Sequence, residues 1–81
     1  TNMTIYNWKA LEEELTRLHI NGISMEMARN LVNMMNKNPN FKGTASPTAC
    51  DAKPLIRYEI IQIDKNNRVS FTDKALKILN S

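Results

Sequence analysis

The sequence predicts one small α+β domain over residues 1–81: two N-terminal helices, a short third helix, a β-hairpin and a C-terminal helix. Three observations carry this reading. Apolar residues recur at three- and four-residue spacing from Trp8 to Leu18 and again from Met27 to Met35, the period of a helix with one buried stripe. Between Leu55 and Phe71, strand-forming Ile, Tyr and Val flank the polar string Asp64-Lys65-Asn66-Asn67, as in a hairpin. After Thr72 an amphipathic run begins again and continues to Leu79.

In the first helix Trp8, Leu11, Leu15 and Leu18 form the inward stripe, and Glu12, Glu13, Glu14 and Arg17 lie on the other side. Thr4 or Asn7 caps its start, and His19 falls in its last turn, where positive charge suits the helix dipole. Gly22 is expected to end it with a positive φ, followed by Ile23 folding back onto the helix end. Ser24 is then the expected N-cap of a second helix. Met27, Ala28, Leu31, Met34 and Met35 face inward there, and Asn38-Pro39 stops it. Spacing leaves a helical hairpin and a helix-turn-helix equally open for the pair.

The following stretch, NPNFKGTASPTACDAK, is long for a connection in so small a domain and implies a hidden element. Ser46-Pro47 reads as an N-cap with proline at the first helical position, so Thr48 to Lys53 is expected to form a short helix closed by Pro54. A surface loop anchored by Phe41 is the alternative. From Leu55 the hairpin is expected to turn through Lys65-Asn66-Asn67, because that loop sets Ile63 opposite Val69 and Ile61 opposite Phe71. Asn67 then takes the left-handed position. A helix over Leu55 to Gln62 competes, since Ile56, Ile60 and Ile63 also have helical spacing. Thr72 caps the last helix, Asp73 suits its first position, and Phe71 with Leu76 forms a hydrophobic staple. Ala75, Leu76 and Leu79 face inward, while Lys74 and Lys77 face solvent.

Composition narrows the function classes. Hydrophobic residues make up 42% and charged residues 23%, as in an ordinary folded chain. No apolar run approaches the roughly 20 residues of a membrane span, and residues 1–14 lack the basic start and apolar core of a signal peptide. A single cysteine, Cys50, forms no internal disulfide, which favours a reducing, cytoplasmic setting. The Asn2-Met3-Thr4 tripeptide matches a glycosylation acceptor, a pattern too short to weigh. Thr1 and Asn2 precede Met3, which suits either two added residues or a piece of a longer chain.

No residue set amounts to catalytic or metal chemistry. His19 is the sole histidine and has no motif around it, Cys50 lacks a second thiol and reads as a buried or incidental one, and the glutamates at 12–14 point in different directions on a helix. Two glycines cannot build a phosphate loop. The expectation is therefore a non-enzymatic protein with no cofactor. The net charge of +3 is uneven: residues 1–40 are balanced, and the excess of lysine and arginine falls in residues 41–81, which suits an acidic partner. Of the five methionines, Met34 and Met35 are expected in the core and Met25 nearer the surface.

The string LIRYEIIQIDKNNRVSFTDKALKIL, Leu55 to Leu79, resembles the wing and closing helix of prokaryotic winged helix-turn-helix regulators over the last third of the chain. The resemblance implies a winged-helix-like domain in which Lys65 to Arg68 is the wing tip against the DNA backbone or minor groove. It also implies that the helix before the first wing strand reads the major groove. The matching segment, Ser46 to Lys53, departs from that pattern in being short, proline-bounded and basic only at Lys53; Ala75 stands where a glycine is common. On this reading double-stranded DNA is the partner, with phosphate contacts from Lys42, Lys53, Arg57, Lys65 and Arg68 and base or sugar contacts from Thr48 and Asn66. The rival expectation is a protein-interaction module of a phage, plasmid or bacterial system, docking on a larger protein through the hairpin edge or the Met-rich second helix.

Overall fold

A computed structural model describes residues 5–81. Thr4 as a cap and the Asn2-Met3-Thr4 tripeptide lie outside the described residues. The elements run α1 (Trp8–Arg17), α2 (Gly22–Lys37), β1 (Gly43–Thr44), α3 (Lys53–Arg57), β2 (Ile61–Ile63), β3 (Arg68–Phe71) and α4 (Asp73–Leu79). They form a mixed α+β domain of four helices and one antiparallel sheet of strand order β1-β3-β2, a layout consistent with a winged helix. No helix among the described residues is long and apolar enough to cross a membrane.

Helix α1 begins at Asn7, whose side-chain oxygen accepts the Ala10 N–H at 3.1 Å, and buries Leu11 and Leu15 completely. It ends differently from the expectation. The residue with positive φ is His19 (59°), not Gly22, and the N–H groups of His19 and Ile20 donate to the carbonyls of Thr16 and Leu15, each at 3.0 Å. This paired closure folds Ile20, rather than Ile23, back onto Leu15. Gly22 becomes the first residue of α2. Its N-cap is Asn21, which accepts the Ser24 N–H at 2.9 Å, and not Ser24. Ser24 lies one turn into the helix, fully buried, with no hydrogen-bond partner for its hydroxyl.

Helix α2 ends at Lys37 as Asn38-Pro39 requires, and buries Ala28, Leu31, Val32 and Met35. Met34 departs from expectation: it is 39% exposed, because it lines an open groove between α2 and the Gly43–Thr44 segment instead of the closed core. The long connection hides a strand as well as a helix. Gly43 pairs with Val69 and Thr44 with Arg68, adding β1 to the outer side of β3. Ser46-Pro47 starts a turn and no helix: the Ser46 hydroxyl oxygen accepts the Thr48 N–H at 3.2 Å and the Ser46 carbonyl accepts the Ala49 N–H at 3.0 Å. Cys50 in this segment is exposed.

The short third helix exists, but at Lys53–Arg57, so that Pro54 opens it instead of closing it. Leu55 and Ile56 therefore lie on a helix where a strand was expected, and the strand begins only at Ile61. Helix α3 closes by the same device as α1. Glu59 takes φ 57°, its N–H donates to the Ile56 carbonyl at 3.0 Å, and the Ile60 N–H donates to the Leu55 carbonyl at 2.8 Å. Leu55 and Ile60 are both fully buried as a result.

The hairpin register is as expected: Ile61 opposes Phe71 and Ile63 opposes Val69, with Asn67 at φ 60°. Thr72 caps α4 by accepting the Ala75 N–H at 3.2 Å, and its hydroxyl donates to the Glu59 carbonyl at 2.5 Å. Leu76 packs against the core that contains Phe71. Helix α4 lies on α1, and the Asn7 N–H donates to the Leu79 carbonyl at 2.7 Å, so the last helix closes over the first.

Candidate nucleic-acid interface

The hairpin tip is built around one carboxylate. Asp64 accepts the N–H groups of Asn66 at 2.8 Å and Arg68 at 3.0 Å through the same oxygen, and its own carbonyl accepts the Asn67 N–H at 2.9 Å. These bonds hold the three-residue turn in one shape and aim Lys65 and Asn66 outward, both exposed. The backbone donors of Arg68 and Asn66, followed by the nearby charges of Lys42 and Arg68, hold the Asp64 carboxyl below its ordinary pKa.

Pairing of β1 with β3 adds one cation, Lys42, to those of the hairpin. The Arg68 guanidinium donates to the Lys42 carbonyl at 3.2 Å, which lays its side chain across the start of β1. The structure thus brings Lys42, Lys65, Asn66 and Arg68 together at one end of the hairpin, around the single carboxylate of Asp64. Asp64 offsets part of their charge.

The other expected contacts lie elsewhere. Lys53 and Arg57 are the first and last residues of α3, four apart and therefore on one helix face, both exposed. Helix α3 packs against α2 and β2, the position of a helix preceding a wing. Its five residues make little more than one turn, so few side chains reach outward from it. Thr48 is exposed, and its hydroxyl is hydrogen-bonded to that of Ser46 at 2.9 Å. No hydrogen bond or ion pair joins Thr48, Lys53 or Arg57 to the hairpin cluster among the described residues.

Two further features went unread in the sequence. The Lys74 ammonium, expected free in solvent, donates to the Tyr58 carbonyl at 3.0 Å and so caps the end of α3. An open groove of about 680 Å³ separates α2 from β1, lined by Ile23, Met27 and Met34 on one side and by Phe41, Gly43 and Thr44 on the other. The methionine stripe hinted at the first wall; nothing local signals the second, which depends on β1. Among the described residues no group of three or more histidine, cysteine, aspartate or glutamate side chains is placed to hold a metal ion. No protein-family model, curated protein or solved structure matches the chain.

Proposed function

We propose that this chain is a non-enzymatic DNA-binding domain that grips duplex backbone with its hairpin, as part of a prokaryotic, phage or plasmid regulatory or replication protein acting in the cytoplasm. The observation that supports it is the gathering of Lys42, Lys65 and Arg68 at the hairpin end, with Asn66 between them at the tip. Phosphate contacts need positive charge and hydrogen-bond donors at the correct spacing, and these side chains supply both. Lys53 and Arg57 extend the contact along α3. A helix of five residues carries few base contacts, so binding is expected to depend weakly on sequence and strongly on salt.

The test is an NMR titration with a short random-sequence duplex at low salt, repeated at rising salt. Shifts at residues 42, 53, 57 and 65–68 that fade as salt rises support the reading. Shifts confined to α2, or none at all, overturn it.

A further inference from the structure

We propose that the groove between α2 and β1 takes an extended segment of a partner protein, bearing an apolar anchor flanked by lysine or arginine, which adds to β1 as a further strand. This inference does not rest on the DNA reading, since it uses none of the hairpin cations.

Four observations carry it. First, β1 is an edge. The Ala45 N–H donates to the Asn67 carbonyl at 3.0 Å, which makes Gly43–Val69 the hydrogen-bonded pair and turns the N–H and C=O of Thr44 away from β3. Among the described residues neither Thr44 group has a partner, so the edge offers one donor and one acceptor to an incoming backbone. Second, Gly43 keeps the floor open. A Cβ there would meet Val69 at 3.6 Å and the Leu31 side chain at 3.7 Å, so a side chain at this position would occupy the floor of the groove above these two buried residues.

Third, the facing wall carries apolar surface that the fold leaves in water. Ile23 is 75% exposed and Met34 39%, and both line the groove with Met27, whose flexible side chain adapts to the shape it meets. Fourth, the charge of the groove opposes that of the chain. Glu26 and Asp51 line it and no lysine or arginine does, in a protein of net charge +3. Nucleic acid is repelled from such a surface, whereas a basic, apolar strand is matched to it.

The experiment selects random heptapeptides displayed on phage against the immobilised full chain, then measures affinities of the recovered peptides by fluorescence polarisation. Recovered peptides are expected to combine an apolar residue with lysine or arginine. Their Kd should rise at least about tenfold with Met34→Lys, a substitution at a partly exposed site, and similarly with Gly43→Val. Thr44→Pro removes the outward N–H, at the cost of a fixed φ, and should weaken binding as well, whereas Lys65→Ala, at the hairpin tip away from β1, should leave it unchanged. Glu26→Lys/Asp51→Lys should shift the selection to acidic peptides. Circular dichroism and thermal unfolding establish that each variant is folded, and if Gly43→Val is not, Met34→Lys decides. The proposal is overturned if no peptide is recovered, if the peptides are acidic, or if Met34→Lys and Thr44→Pro bind them as well as the parent chain does. It is equally overturned if duplex DNA displaces the peptides, or if ultracentrifugation shows a dimer that Met34→Lys dissolves, which would make a second copy the occupant.

Discussion

The carboxylate of Asp64 accepts the backbone N–H of Arg68 at 3.0 Å across the hairpin turn, and with the Asn66 N–H at 2.8 Å it fixes the shape in which the hairpin presents its cations. Because these donors favour the charged carboxylate, its pKa in the folded chain lies below the ordinary value of 3.8. A depressed folded pKa contributes stability that is present above the unfolded value and is lost as pH falls through the folded one. The Asn66 and Arg68 amide resonances are therefore expected to titrate together with a midpoint below 3.8. Asp64→Asn should abolish that titration. A midpoint at or above the ordinary value would show that the turn is not held this way.

On the proposed DNA-binding function, the hairpin cations should act through salt dependence. Each phosphate contact contributes roughly 0.9 to the slope of log affinity against log salt. Lys65→Ala/Arg68→Ala is thus expected to weaken duplex binding and reduce that slope by about two. Measurement by fluorescence anisotropy across a salt series checks it, and an unchanged slope removes the wing from the interface.

Asn21 and Ser24 exchange the roles that their residue types suggest. Asn21 caps α2, so Asn21→Ala should cost about 1 kcal/mol in urea unfolding. Ser24 buries a hydroxyl that has no partner, so Ser24→Ala should raise stability by about 1 kcal/mol. A loss on Ser24→Ala would show that the hydroxyl does have a partner.

His19 and Glu59 hold left-handed backbone at φ 59° and 57° at the ends of α1 and α3. Left-handed geometry costs a residue with a Cβ roughly 1–2 kcal/mol, part of which glycine loses again in unfolded-state entropy. His19→Gly and Glu59→Gly are each expected to gain about 0.5–1 kcal/mol, read from the midpoint of urea unfolding at unchanged m-value. Gly22→Ala should be tolerated, since Gly22 is helical and a Cβ there meets nothing within 4 Å.

Where neighbours in the chain decided the structure, the sequence was readable. The stripes of α1, the Asn38-Pro39 stop, the Thr72 cap and the hairpin register each follow from residues within a few positions of one another. The register was legible because a one-residue slip would turn Val69 and Phe71 out of the core. Helix ends were read less well: Gly22 was expected to carry the left-handed residue after α1 and His19 carries it, and Pro54 was expected to close the third helix, which it opens, while left-handed Glu59 closes it. Packing of Ile20 and Ile60 behind them compensates for the strain.

By itself the sequence determined the α+β class, the order of the main elements, the hairpin turn and the cations at its tip, all set by short-range pattern and turn chemistry. Tertiary structure alone decided that Gly43–Thr44 is a strand. Two residues carry no periodicity, and they are extended because β3 offers an unpaired edge to a segment far off in the chain. That pairing draws Lys42 to Arg68 and leaves a groove beside Met34. The place of Lys42 in the hairpin cluster and the groove both exist because of a contact that only the folded chain makes.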